Sequence, residues 1–142
     1  MKLHIITIGQ PKLAYAKSGW EEYRRRLEHY HQLRVTHIAD KHNDAAHILQ
    51  IAQGSYTVAM VIEGPQLTSS QLAAFLADQT LQAREVSFLV GGPDGLPAEV
   101  IKQADSRMGL SKLTFPHDLA MVILLETLYR SSTINAGQPY HR

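Results

Sequence analysis

The first apolar run of the chain, in MKLHIITIG, is rich in β-branched residues and stops at Gly9, after which Gln10-Pro11 breaks it. This pattern predicts a strand over Leu3–Ile8 followed by a turn. From Lys12 to about Tyr30 the period changes. Leu13, Ala16, Trp20, Tyr23 and Leu27 recur every three or four residues, which predicts a helix whose polar face carries Lys17, Glu21, Arg24, Arg25 and Glu28. Leu33–Ala39 alternates as a second strand, Asp40–Asp44 is polar, and Ala45–Ala52 predicts a short helix stopped by Gly54-Ser55. Tyr56–Ile62 is nearly all apolar, as a strand covered on both faces of a parallel sheet must be, and Glu63-Gly64-Pro65 turns the chain at its end. Thr68-Ser69-Ser70 offers a cap for a helix over about Gln71–Ala83, with Leu72, Phe75, Leu76 and Leu81 inward. Val86–Val90 reads as another buried strand, Pro97–Ala104 as a helix and Lys112–Phe115 as a last short strand. A closing helix runs from Pro116, in a favoured first-turn position, to roughly Ser131.

Strands alternating with helices imply the α/β class, with an open parallel sheet covered on both faces. The 142 residues fit one domain, 1–142. Ligands of such sheets bind beyond the carboxyl ends of the strands, so the loops after Ile62, at Gly91-Gly92 and at Phe115-Pro116 are expected to converge. VSFLVGGPDG (Val86–Gly95) is the leading candidate loop, because residues without Cβ let a ligand approach the main chain. LSKLTFP (Leu110–Pro116) is the second and QPYHR (Gln138–Arg142) the third.

Composition narrows the chemistry. The absence of cysteine excludes disulfides, thiolate zinc sites and cysteine nucleophiles, and fits a reducing compartment. The first apolar run is too short for a signal peptide, and no run approaches the ~18 residues of a spanning helix, so a soluble cytoplasmic protein is expected. A net charge of +1 is small for a nucleic-acid binder. Any RNA contact therefore needs a local patch, for which Arg24–Arg26, backed by Lys12, Lys17 and Arg34, is the candidate.

The Gly91–Gly95 loop lacks the Walker lysine and the G-x-G-x-x-G spacing, and Lys112 after Ser111 reads more simply as an exposed loop lysine than as a phosphoryl site. His29 and His31, His42 and His47, and His117 and His141 form no ligand spacing, so no metal is expected. No G-x-S-x-G elbow occurs. Glu126 and Arg130 are placed to pair on one helix, and the apolar positions of Leu119–Tyr129 read as core or a dimer seam. Tyr140-His141-Arg142 combines a stacking ring, a titratable imidazole and a phosphate-binding guanidinium at a terminus of the kind that commonly frays.

Taken together, LVGGPDG (Leu89–Gly95), LSKLTFPH (Leu110–His117), ETLYR (Glu126–Arg130) and PYHR (Pro139–Arg142) resemble the bacterial 23S rRNA (pseudouridine-N3)-methyltransferase family, RlmH type, of the SPOUT superfamily. Gly9, Lys12 and EEYRRRL (Glu21–Leu27) are similar too, so the resemblance spans essentially the whole chain. It implies a parallel-sheet α/β methyltransferase fold with a C-terminal trefoil knot, which the general avoidance of knots would have argued against. It implies S-adenosyl-L-methionine as cofactor, held by Ile62, Gly91, Ser111, Lys112, Leu113, Thr114, Phe115 and Pro116. It further implies a homodimer that methylates N3 of a pseudouridine in helix 69 of 23S rRNA on the assembled ribosome.

In that chemistry a methyl group moves in line from a sulfonium to nitrogen, and the N3 proton must leave. The resemblance makes His141 the candidate base or relay, with Tyr140 stacking or hydrogen-bonding the target base and Arg142 holding phosphate. Two departures bear on this. Met121 stands where the family usually has arginine, and SSTINAG (Ser131–Gly137) replaces a more aromatic or basic form. They leave a ribosome-binding SPOUT-fold protein with weakened or lost methyl transfer as the alternative, and another α/β enzyme binding a small nucleotide as a third reading.

Overall fold

A computed structural model describes residues 1–141. Along the chain run β1 (Lys2–Ile8), α1 (Ala14–Leu27), β2 (Gln32–Ile38), α2 (Ala45–Ile51), β3 (Tyr56–Met60), α3 (Ser69–Leu81), β4 (Val86–Val90), α4 (Ala98–Gln103), β5 (Ser106–Met108) and α5 (His117–Asn135), with short 3₁₀ turns at Asp40–His42 and Pro139–His141. The five strands are all parallel, in the order β2-β1-β4-β3-β5. Ile5 lies opposite Val35 on one side and Phe88 on the other.

Successive residues of a strand point to opposite faces, so a sheet covered on both sides needs continuous apolar runs. Leu3, Ile5, Val86 and Phe88 pack with Trp20 and Leu27 of α1, Leu72 and Leu76 of α3, and Met121, Leu124, Leu125 and Leu128 of α5. Ile6, Ile8 and Leu89 face the other way, onto Ile48 of α2 and Val100 of α4. Met121 is fully buried in the first of these cores.

Several boundaries differ from the sequence expectation. The fifth strand is Ser106–Met108, and Lys112–Phe115 pairs with no strand. A three-residue strand in which only Met108 is buried carries no readable period, whereas the apolar residues of LTF face a cavity instead of a sheet neighbour. β3 ends at Met60, α5 continues to Asn135, and Leu81 is 86% exposed at the last turn of α3. Leu13 is not part of the buried stripe of α1 but its exposed N-cap. Thr68 is the cap of α3, closing a capping box with Gln71.

Two contacts fix the edges of the functional end. The segments after β3 and β5 cross so closely that a Cβ on Gly64 would stand 2.7 Å from the Met108 carbonyl carbon, and one on Gly109 would stand 2.7 Å from the Gly64 oxygen. α1 has no capping side chain of its own; the Asp118 carboxylate of α5 accepts hydrogen bonds from Lys12 N (2.8 Å) and Leu13 N (2.7 Å).

Candidate functional site

Beyond the carboxyl ends of β3, β4 and β5 lies a cavity of about 520 Å³, within the usual range for a small-molecule site. One wall is Met60-Val61-Ile62, a second is Val90–Pro93 with Gly95, and a third is Leu110-Ser111 with Leu113-Thr114-Phe115. Met108 and, from α5, His117, Ala120 and Leu124 close it. Of the residues expected around a cofactor, Ile62, Gly91, Ser111, Leu113, Thr114 and Phe115 line this cavity. Lys112 and Pro116 do not: Lys112 is exposed, and Pro116 is the residue from which α5 starts.

Apolar side chains dominate the walls, and no Asp, Glu, Lys or Arg is among the lining residues. A ligand here meets hydrophobic surface and main-chain polar groups. Between Leu110 and Pro116 the chain is in neither helix nor strand, and its one internal side-chain bond is from Leu113 N to Ser111 Oγ at 3.0 Å. Those main-chain groups can face a flat, hydrogen-bonding heterocycle, and the apolar side chains can cover its faces. Gly91 has a reason besides ligand approach: a Cβ there would lie 2.5 Å from the Gly95 carbonyl carbon, so its own turn needs glycine.

Sequence reasoning missed Met108, because it missed β5, and it weighed His117 only as a metal ligand. His117 Nε2 donates to the Ile8 carbonyl at 3.0 Å, tying the start of α5 to the end of β1. Next to it, hydrogen bonds from Leu13 and Lys12 hold the Asp118 carboxyl below the usual carboxylate range. Among the described residues no three His, Cys, Asp or Glu side chains come together to hold a metal.

The tail lies elsewhere on the chain. Tyr140 packs edge-on against Tyr129 with ring centroids 4.7 Å apart, donates to Glu126 Oε1 at 3.3 Å and sits with its hydroxyl 3.1 Å from that of Tyr23. Arg130, bound to Glu126 at 2.6 Å, covers the Tyr140 ring at 5.0 Å. Burial, followed by the bond to Tyr23, pushes the Tyr140 hydroxyl above the ordinary phenol range. His141 is exposed, neither Tyr140 nor His141 lines the cavity of its own chain, and Arg142 lies outside the described residues. The structure thus brings six of the eight expected cofactor residues together and leaves the tail apart from them.

The expected basic patch is largely neutralised. Arg24 pairs with Glu21 and Glu28, and Arg25 and Arg26 each reach Glu22 at 2.8 Å. The period of EEYRRRL puts opposite charges three and four residues apart, which is the spacing at which helical neighbours meet. Arg26 also lies 5.4 Å over both Tyr23 and Tyr129.

The family described as "Predicted SPOUT methyltransferase" matches residues 1–141. The chain belongs to the SPOUT methyltransferase family. This SPOUT methyltransferase is 46% identical to the ribosomal RNA large subunit methyltransferase H of Deinococcus deserti, over all of both chains. It is 39% identical to the protein of the same name from Thermus thermophilus, covering all of this chain and 99% of the other. Among solved structures, a methylase family protein from Haemophilus influenzae superposes with a TM-score of 0.60 at 8% identity, covering 99% of this chain and 70% of that one. TrmJ from Z. mobilis gives 0.54 at 13% identity, over 94% and 70%. At such identities these two speak for the fold alone. No helix is long and apolar enough to cross a membrane among the described residues.

Proposed function

We propose that this SPOUT methyltransferase uses S-adenosyl-L-methionine to methylate large-subunit ribosomal RNA, at N3 of a pseudouridine in helix 69 of 23S rRNA on the assembled ribosome. The observation that carries the reading is the apolar cavity formed by the loops after β3, β4 and β5, with Ile62, Gly91, Ser111, Leu113, Thr114 and Phe115 on its walls. The full-length relatives named as ribosomal RNA large subunit methyltransferases support the choice of RNA. When bound, the cofactor supplies an electrophilic methyl on a positive sulfonium. The chain covers the adenosine with Ile62, Leu113 and Phe115, meets its polar edge with main-chain groups of residues 110–115, and excludes water from the transfer. Lys112 and Pro116 belong to this site through their main chain and the loop shape they set.

The reading includes a homodimer in the cytoplasm and a trefoil knot, with the close crossing at Gly64 and Gly109 as the tightest point of that knot. Support for the dimer comes from large side chains left exposed: Ile62 and Leu113 on the cavity wall, Leu67 next to the Gln66–Gly109 bridge, and Leu13, whose N–H meets Asp118, with Tyr15 two residues on. A tail remote from its own cavity fits a site completed by the second protomer, with Tyr140 and His141 against the target nucleotide and Arg142 on phosphate. Met121 is buried in the core cluster that also holds Met108 and Leu124, and it is absent from the cavity wall, so the departure that favoured a binding protein without turnover falls behind the wall and not on it.

Isothermal titration with S-adenosyl-L-methionine is expected to show one site per chain. Absence of heat would contradict the cofactor assignment. Demonstrated cofactor binding with no methyl transfer to ribosomes lacking the modification would favour the ribosome-binding alternative.

A further inference from the structure

Transfer to an imide nitrogen requires a group that takes its proton, and the cavity wall holds one titratable side chain, His117, apart from the hydroxyls of Ser111 and Thr114. Serine and threonine hydroxyls are not bases near neutral pH. His117 stands at the start of α5, and its Nε2–H is spent on the Ile8 carbonyl at 3.0 Å. A carbonyl only accepts, so that bond fixes the proton of the neutral ring on Nε2 and leaves the lone pair on Nδ1. Nδ1 has no partner among the described residues.

The charged groups around the ring are few. Asp118 follows it on α5 and is occupied by Lys12 N and Leu13 N. Asp40, after β2, lies within 4.0 Å of the place a Gly9 Cβ would take, and His117 Nε2 is equally close to that place. Lys12 precedes α1 with an exposed side chain. Gly9 brings no side chain to the Nε2 edge of the ring, and Gly92 lines the same cavity as His117.

Resting on the methyltransferase reading above, we infer that His117 is the catalytic base, Nδ1 taking the N3 proton of the target base as its nitrogen attacks the methyl carbon. The nitrogen–carbon bond forms while the carbon–sulfur bond breaks, the sulfonium leaves as a neutral thioether, the N3–H bond electrons stay with nitrogen, and the imidazolium passes its proton to water. The tail histidine, His141, then holds the substrate instead of deprotonating it.

The test uses the full-length protein. Long-range ¹⁵N–¹H NMR spectra of the cofactor-free protein, taken where the ring is neutral, are expected to show His117 as the Nε2–H tautomer. The Nδ1–H tautomer would overturn the assignment. H117Q keeps an N–H able to reach Ile8 but has no basic nitrogen, so calorimetric affinity for S-adenosyl-L-methionine should stay within about threefold while single-turnover methylation falls about 100-fold or more. Added imidazole should partly restore turnover in H117A. An H117Q that methylates within about threefold of the wild type overturns the role of His117 and leaves the methyltransferase reading intact. A wild-type protein that binds cofactor and methylates no ribosomal RNA overturns both.

Discussion

At the scale of single residues, one side chain from outside an element completes it. Asp118 is the cap that α1 lacks, accepting from Lys12 N and Leu13 N across a separation of more than a hundred residues. Asp118→Ala leaves both N–H groups to water and is expected to cost about 1 kcal/mol in urea unfolding. Because the folded carboxyl lies below its usual range, this stabilisation is present above the unfolded-state value and is lost as pH falls through the folded one. Histidines in the core act from the neutral side. Ser132 Oγ gives its proton to Leu128 O and so accepts from His31 Nε2, while His31 Nδ1 is buried without a partner among the described residues. Burial, with the nearby amino terminus, lowers His31 to about 4. The unfolded chain therefore binds the extra proton first, and stability falls as pH drops from about 6.5 towards 4, by an amount on the order of 2 kcal/mol. His4, fully buried, with Nδ1 also unpartnered among the described residues and its pKa lowered chiefly by burial, adds to the same slope. Denaturant titrations across this window check the sign, and His31→Gln should flatten the curve.

Among the elements, the tightest geometric demand is the crossing after β3 and β5. Gly64→Ala or Gly109→Ala drives a methyl into backbone at 2.7 Å, where no rotamer can yield, and is expected to cost at least about 2 kcal/mol in thermal or chemical unfolding. Gly54→Ala, at positive φ with nothing within 4 Å, should cost only about 1 kcal/mol, which separates overlap from backbone strain. The same contrast explains what was legible. β1, β3 and β4 announce themselves as apolar runs because both faces are covered, and their carboxyl ends point to the cavity. β5 escaped because Ser-Arg-Met has no period, and its loss displaced the last strand onto Lys112–Phe115, whose apolar residues serve a cavity. The three arginines of α1 read as a basic surface until their glutamate partners, already visible at Glu21, Glu22 and Glu28, are counted with them. His117 was visible as a residue but not as a wall, since only folding brings it beside Ile8, a hundred and nine positions away.

Over the whole molecule, the sheet order places the ends of β4 and β3 at the centre of the functional end, and α5 runs from the cavity at His117 to the tail cluster around Tyr140. At 1.5 Å per residue the nine residues from His117 to Glu126, which Tyr140 meets, rise roughly 14 Å, so the tail packs beside the middle of α5 and not on the cavity wall of its own chain. The proposed dimer, with each tail meeting the other chain's cavity, would bring the two together. That architecture, the cofactor and the RNA target meet in one measurement: incubating the protein with S-adenosyl-L-methionine carrying a labelled methyl group and with ribosomes from a strain lacking the modification, then mapping the label. The prediction is label on 23S rRNA at N3 of a pseudouridine in helix 69, dependent on His117. Label elsewhere on the ribosome, or none from a protein shown to bind the cofactor, would contradict it.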